Sequence, residues 1–169
     1  MDEFKTINVN LSNLSEKERE QLLELIERSN NSAKRRWRGE RHNHYYFISG
    51  AGGIGRGRED KVTYDSNRYQ LGNYFKTEEE AEFELQKRLV YQELKDYALE
   101  HNECEFDWKN KYQPKWSIFY NNESECLEYN DFYNMCDITQ IHFTSEEIAR
   151  KAVFAVGEDR IKKYLFGID

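Results

Sequence analysis

Long apolar segments are missing from this sequence. No run approaches the roughly 20 apolar residues that a membrane-spanning helix needs, and residues 1–10 have neither the basic start nor the apolar core of a secretion signal. A net charge of −7 also disfavours unspecific binding to nucleic acid or to anionic lipid. We therefore expect a soluble cytoplasmic protein that does not bind membranes.

Cysteines are few and unevenly spaced. Cys104, Cys126 and Cys136 are odd in number and fit neither a disulfide framework nor the paired cysteines of a zinc knuckle. His42 and His44 could both reach one metal ion, but no cysteine or carboxylate pattern completes the ligand shell. We expect reduced packing cysteines, and neither a metal site nor a cofactor.

Aliphatic side chains are sparse too, and aromatic ones replace them. Leu, Ile, Val and Phe make up about 22% of the 169 residues, close to the limit below which charged chains tend not to fold. Tyr, Phe and Trp together reach 15%, a content that disordered chains rarely carry. This balance predicts one folded domain with an aromatic-rich core.

Capping boxes, glycine loops and alternating patterns divide the chain into strands and helices. The expected strands, in chain order, are 5–10, 45–49, 61–65, a short stretch at 74–75, 115–120, 126–129 and 140–143. The expected helices are 15–29, 78–101, 144–156 and 158–165. A glycine loop, 50–57, precedes the strand 61–65, and the polar stretch 30–43 is typical of a mobile linker.

Residues 45–80 and 116–147 share one order of features, namely an aromatic strand, a turn, further strand and a capped helix start. Duplication, and convergence on a good strand-to-helix junction, would both explain this order. The predicted fold class is α+β, with antiparallel strands carrying helices on one face in two similar β-β-β-α halves. The predicted single domain, 1–169, consists of an N-terminal strand-helix (1–29), a basic linker (30–43) and the two halves (44–102 and 103–169).

The predicted helix 78–101 has two apolar stripes. Leu85 and Leu89 lie on one stripe, and Val90 and Leu94 lie on a nearly opposite one. One stripe should meet the sheet. The other would meet the first helix or, in a homodimer, a second copy of the protein.

The glycine loop matches a dinucleotide-binding pattern without its context. Residues 50–55 spell G-x-G-x-x-G directly after a predicted strand, yet residues 56–61 offer no apolar face on which the binding helix could form. We interpret the loop as the flexible tip of a hairpin, whose glycines with Arg56 and Arg58 could wrap a phosphate or an acidic groove.

Acidic and aromatic side chains are concentrated between residues 116 and 137. The carboxylates are Glu123, Glu125, Glu128, Asp131 and Asp137, and the aromatic neighbours are Trp116, Tyr120, Tyr129 and Tyr133. Such a surface could imitate phosphates to a DNA-binding protein, and a solvated loop is the alternative. Since no nucleophile elbow, phosphate loop, metalloprotease or kinase signature occurs, we predict that the protein is not an enzyme.

Positive charge is concentrated between residues 34 and 61, where the net charge is +5 against −12 for the remainder. The candidate binding residues are Lys34, Arg35, Arg36, Trp37, Arg38, Arg41, Arg56 and Arg58. Arginine forks suit phosphate oxygens, and an interleaved tryptophan can stack on a base. The segment 34–41 is therefore either a docking site for nucleic acid or an acidic protein patch, or a solvated linker.

Several motifs resemble those of one family. They are the segments 45–48 (YYFI), 72–82 (GNYFKTEEEAE), 143–152 (FTSEEIARKA) and 157–166 (GEDRIKKYLF). With them, most of residues 5–166 resembles small uncharacterised proteins from phages and prophages of Firmicutes. The motifs are strand ends, caps and helix stops, so the resemblance implies a phage origin but no catalytic residue.

Three functions follow as expectations. The phage resemblance implies the first, a non-enzymatic inhibitor of a host defence complex, such as an anti-CRISPR protein whose acidic body occupies the cationic nucleic-acid channel of Cas9. The second is a direct nucleic-acid or nucleotide binder that uses the basic residues. The third is a small structural phage protein that self-associates.

Overall fold

The computed structural model describes residues 14–33, 36–133 and 141–168. This part of the chain divides between Arg38 and Gly39 into two compact units, so that the boundary falls inside the predicted linker 30–43. Both predicted halves lie in the second unit. The predicted strand 5–10 lies outside the described residues.

Helix α1, Glu16–Ala33, belongs to the first unit. Its start is fixed by Ser15, whose main-chain N–H and hydroxyl donate to the Glu18 carboxylate at 2.8 and 2.6 Å. The predicted helix start is therefore confirmed. The predicted end at Ser29 is wrong, because the helix continues into the stretch that its polar composition assigned to a linker.

The second unit alternates hairpins and helices. Its elements are β1 (His44–Ile48), β2 (Ile54–Arg58), α2 (Thr63–Gln70), α3 (Glu78–His101), β3 (Lys115–Asn121), β4 (Cys126–Phe132), α4 (Glu146–Val156) and α5 (Glu158–Ile161), with a final π turn (Lys162–Phe166). The strands form two antiparallel pairs, β1 with β2 and β3 with β4. The α+β class is thus confirmed. No helix in the described ranges combines the length and the apolar character that crossing a membrane requires.

The same junction joins each hairpin to the helix that packs on it. Tyr46 and Phe75 form an isolated antiparallel bridge in the first half, and Trp116 and Phe143 form one in the second. The helix cap follows two residues after the bridge in both cases, where a side-chain oxygen accepts a main-chain N–H three residues on. The predicted strands 74–75 and 140–143 are therefore single bridges in the described residues.

Helix α3 has the predicted bounds, and its apolar stripes have different environments. Val90, Leu94 and Ala98 are buried, and they join α4, β4 and Phe143 in one hydrophobic cluster. Leu89 and Leu99 of the other stripe are exposed. The stripe of Val90, Leu94 and Ala98 therefore supplies the contact with the second hairpin.

Three of the four aromatic residues of the proposed acidic surface pack on the core, and the fourth, Tyr133, is exposed. Trp116, Tyr120 and Tyr129 pack against the buried cluster, and the Arg150 guanidinium lies 4.3 Å from the Tyr129 ring centre. Of the carboxylates, Glu123 and Glu125 are exposed and Glu128 and Asp131 are half-buried, while Asp137 lies outside the described residues. In the described part, most of the aromatic side chains that were predicted for this surface therefore pack inward and are not available to a partner.

The return strand of the first hairpin is not where the sequence pattern placed it. Strand β2 covers Ile54–Arg58, and the predicted strand 61–65 instead leads into and begins helix α2. Asp65 explains the difference, because its carboxylate accepts the main-chain N–H groups of Asp60 and Val62 at 2.9 and 3.2 Å. These bonds turn the chain into a helix start despite its β-forming residues.

A candidate docking surface on the first hairpin

The hairpin β1–β2 has a short, hydrogen-bonded tip. Ser49 donates its main-chain N–H to the Gly53 carbonyl at 2.8 Å, and its hydroxyl accepts the Gly53 N–H at 3.2 Å. Asn73 holds the end of β1 with two side-chain bonds to the main chain of Ile48, at 2.7 and 2.8 Å. Half of the predicted loop 50–57 is therefore strand, and its turn is confined to residues 50–53.

Two glycines allow the rings of β1 to lie across β2. The register pairs Tyr45 with Gly57 and Phe47 with Gly55. A Cβ atom on Gly57 would lie 2.6 Å from Cζ of Tyr45, and one on Gly55 would lie 2.5 Å from Cζ of Phe47. Because no side chain fits under either ring, this face of β2 consists of main chain alone.

The Tyr45 ring is fixed by a buried polar cluster. Its hydroxyl donates to Asp65 at 2.8 Å and accepts from Arg68 at 2.8 Å, and its ring stacks on Tyr74 at 4.0 Å. Burial, and then the bond to Asp65, raise the pKa of Tyr45 against the opposing effect of Arg68. The cluster gives the hairpin a rigid base.

A second buried pair attaches the chain that enters the hairpin. The Tyr74 hydroxyl donates to the fully buried Glu59 carboxylate at 2.9 Å and accepts the Gly39 N–H at 3.2 Å. Burial and the Glu59 carboxylate raise the pKa of Tyr74 well above its usual value. Lys61 adds a bond from its ammonium to the Gly39 carbonyl at 3.3 Å. The turn that carries Arg41 is thereby held next to the hairpin.

The opposite face of the hairpin carries the basic side chains. Side chains alternate along a strand, so Arg56 and Arg58 lie on the same face as their cross-strand partners Tyr46 and His44. Both arginines and His44 are exposed, and Tyr46 is half-buried. Arg41, in the preceding turn, is exposed as well. We call Arg41, Arg56 and Arg58 the hairpin arginines.

One of the hairpin arginines is already paired. Nε and Nη2 of Arg58 lie 3.0–3.2 Å from the Asp60 carboxylate, and Nδ1 of His42 lies 3.2 Å from the same group. The hydrogen bonds from Arg58 hold the pKa of Asp60 below its usual value. Arg58 thus folds back on a neighbouring carboxylate. Its side chain stays 58% exposed, but the carboxylate reduces the local positive charge.

Three of the other predicted binding residues lie in the first unit, and two lie outside the described residues. Arg36, Trp37 and Arg38 belong to the first unit, and each makes a polar, ring or electrostatic interaction of its own. Lys34 and Arg35 lie outside the described residues. The site that the second unit forms by itself is therefore the group of hairpin arginines.

An open groove lies beside the tip end of β2. Ile54 shares it with Phe83 and Leu85 of α3 and with Tyr164 of the π turn, and its volume is about 610 Å³. The rings of Phe83 and Tyr164 lie 5.3 Å apart. Sequence reasoning missed both this groove and the face shared by Tyr46 and Arg56, because only the strand register shows which residues are neighbours.

A serine–histidine pair in the second half is a packing feature. The Ser117 hydroxyl lies 2.9 Å from Nδ1 of His142, but Ser117 is only 1% exposed, so a substrate has no access to its oxygen. The Lys115 ammonium beside it is equally buried and donates to the main-chain oxygens of Gln113 and Asn110 at 3.0 and 3.5 Å. This arrangement secures the segment before β3.

The described residues contain no group of three His, Cys, Asp or Glu side chains placed to hold a metal ion. The side chains on the hairpin and its preceding turn offer guanidinium groups, two imidazoles and a tyrosine ring, which bind anions and stack on flat groups. No protein-family model matches the chain, and comparisons with curated proteins and with solved structures likewise give no match.

Proposed function

We propose that the protein is a non-enzymatic phage inhibitor of a bacterial defence complex that handles nucleic acid, such as a Cas9-type CRISPR effector in the host cytoplasm. The observation that carries the proposal is the exposed basic face of hairpin β1–β2 on an otherwise acidic chain. Arg41 and Arg56 are exposed and form no ion pair with the described residues. They are therefore available to an anionic partner.

The charge distribution supports this kind of partner. A Cas9-type effector holds its guide–target duplex in a positively charged channel and also exposes nucleic-acid backbone. Exposed carboxylates occur at both ends of α3, at Glu78, Glu79, Glu80, Glu82, Glu100 and Glu103, and they suit such a channel electrostatically. The hairpin arginines suit the nucleic acid or an acidic subunit surface. Phage origin, which the sequence motifs imply, supplies a reason for inhibition.

Affinity purification of the tagged protein with a purified Cas9–guide complex tests the proposal. We expect co-elution in a fixed ratio and loss of target cleavage. The double variant Arg41→Glu with Arg56→Glu should weaken both by at least tenfold, because it places like charges at the interface.

The matched control is Lys87→Glu with Lys109→Glu, which changes the net charge equally at two exposed positions outside the hairpin. It should co-elute and inhibit like the wild type. If the wild type neither binds the effector nor lowers the activity of any defence system expressed with it, the proposal is wrong.

Direct nucleic-acid binding is a second candidate, favoured by the cross-strand pairing of Tyr46 with Arg56. A ring beside a guanidinium can stack on bases without sequence preference. Binding of a 20-nucleotide single strand should then weaken with salt, and Arg35→Ala, Arg36→Ala and Arg38→Ala together should flatten the log–log slope by about 0.7 per lost phosphate contact. An unchanged slope would exclude a role for these three arginines.

A further inference from the structure

The outer edge of β2 presents unused main-chain groups. Tyr46 and Phe75 exchange two main-chain hydrogen bonds of 2.9 Å on the side of β1 that faces away from β2. Because hydrogen-bonded and non-hydrogen-bonded pairs alternate in an antiparallel ladder, Tyr46 and Arg56 form a non-hydrogen-bonded pair. The N–H and C=O groups of Arg56, and likewise those of Ile54 and Arg58, therefore point away from β1.

In the described part of the chain, no other strand pairs with this edge. No residue of the described ranges forms a main-chain hydrogen bond with Ile54, Arg56 or Arg58 from the outer side. Natural proteins protect an open edge with a bulge, a proline, a covering loop or charged side chains. The edge of β2 has regular register along its whole length, and the charge of Arg56 and Arg58 protects it. The edge can therefore serve as a template for an added strand of opposite charge.

The side chains along the edge define what such a strand would carry. In an added antiparallel strand, the residues opposite Arg58, Arg56 and Ile54 lie at alternate positions and on the same face as these three. The position opposite Arg56 favours a carboxylate, because Arg56 is exposed. The position opposite Arg58 favours one less strongly, because Arg58 already uses Nε and Nη2 on Asp60 and offers its exposed Nη1 group. The third lies beside the groove of Ile54, Phe83 and Tyr164, which favours an apolar side chain.

We propose that β2 binds an extended segment of the partner protein as an added antiparallel strand with the pattern acidic-x-acidic-x-apolar. The proposal rests on the proposed function and specifies which part of the defence complex the hairpin contacts. The ladder of main-chain bonds supplies affinity, and the alternate side chains supply specificity.

A second copy of this protein is disfavoured as the strand that pairs with the edge of β2. Antiparallel pairing of β2 with the same strand of another molecule would place Arg56 opposite Arg56 in the centred register, with Arg58 of each copy diagonal to this pair. Like charges directly opposed across two strands are destabilising. The charge of the edge therefore selects an acidic strand.

Binding of the peptide TETETVT to the full chain, followed by fluorescence anisotropy, tests the proposal. Two control peptides keep the charge of TETETVT. The first has the same composition with adjacent glutamates. The second is TETETVT with both glutamates N-methylated, which removes two main-chain donors. We expect both controls to bind at least tenfold more weakly.

Two variants at one position separate the ladder from the charge. Arg56→Ala removes the guanidinium, and Arg56→Pro removes in addition the outward N–H, which β1 does not use. We expect Arg56→Pro to bind TETETVT several-fold more weakly than Arg56→Ala, while both retain the far-UV circular dichroism of the wild type. A third variant, Gly53→Ala at the tip, should bind normally.

The outcomes distinguish this proposal from the proposed function. Equal binding of the N-methylated peptide would overturn strand addition and leave charge-based docking on the effector intact. Binding of a 20-nucleotide strand in place of the peptide, lost in Arg56→Ala, would also overturn it. If TETETVT binds as expected but the wild type inhibits no effector, the edge site is supported and the proposed function fails.

Discussion

Gly57 lies beneath the Tyr45 ring, and the ring cannot move aside without losing other contacts. Its hydroxyl is held by Asp65 and Arg68, and its face is stacked on Tyr74. A methyl group at Gly57 would approach Cζ of this ring to 2.6 Å. A residue that sequence reasoning interpreted as part of a flexible loop is therefore one of the most tightly constrained positions in the hairpin.

We predict that Gly57→Ala lowers the free energy of unfolding by about 1–3 kcal/mol, the usual cost of overpacking. Urea unfolding followed by circular dichroism measures this change. Gly53→Ala is the matched control, because its Cβ would meet only the Ser49 hydroxyl at 3.9 Å, and it should stay within about 0.5 kcal/mol of the wild type. Equal stability of the two variants would show that the ring is not fixed.

Helix α2 shows how one side chain can determine an element. Asp65 accepts two main-chain N–H groups and the Tyr45 hydroxyl, and it is only 3% exposed. An asparagine could keep one acceptor oxygen, but its amide nitrogen would face a donor at the other position. The carboxylate is therefore specific to this junction.

We predict that Asp65→Asn lowers the free energy of unfolding at pH 7 by about 2 kcal/mol, since it leaves a buried donor without an acceptor. The exposed Asp96→Asn in α3 should change it by less than about 0.5 kcal/mol. Urea midpoints of the two variants against the wild type give the comparison. A midpoint for Asp65→Asn equal to that of the control would refute the structural role of Asp65.

Elements fixed by local bonds were predictable, and elements fixed by distant contacts were not. The start of α3 depends on Thr77, which accepts the Glu80 N–H at 3.2 Å, and this signal is contained in four residues. The start of α2 combines local bonds from Asp65 to Asp60 and Val62 with a bond from the hydroxyl of Tyr45, which is 20 positions away from Asp65. Alternation in residues 61–65 predicted a strand, because it contains no information about that contact.

At the scale of the whole molecule, the free energy of unfolding should decrease at acidic pH. Although burial opposes its ionisation, hydrogen bonds from Asp60, Tyr45 and Val62 hold the pKa of Asp65 below its usual value. Two hydrogen bonds from Arg160, at 2.7 and 2.9 Å, do the same for Glu93. A lowered pKa in the folded state means stability that is present above the unfolded pKa and lost as the pH falls through the folded one.

We therefore predict a constant free energy of unfolding between about pH 5 and 7 and a steep decrease below about pH 4, where these carboxylates take up protons. Urea unfolding at a series of pH values measures it. The difference between the wild type and Asp65→Asn should shrink as the pH falls. A difference that stays constant down to about pH 2 would contradict the assignment.

For the candidate site, the sequence predicted which residues it contains but not how they are arranged. The sequence showed that arginines are concentrated around the hairpin, and Arg41, Arg56 and Arg58 are indeed exposed there. It did not show that Arg58 pairs with Asp60, or that Tyr46 is the neighbour of Arg56. Both facts follow from the position of β2, which the pattern placed seven residues too late. Pairing across strands is not encoded at any fixed spacing.

The glycines of β2 have a practical consequence for engineering. Because Gly55 and Gly57 are committed to the rings above them, only positions 54, 56 and 58 can vary without disturbing the hairpin interior. If β2 adds a partner strand as proposed, a library that randomises these three codons would sample most partner preferences of its edge. Selection from so small a pool would then test whether binding can be redirected while the scaffold stays unchanged.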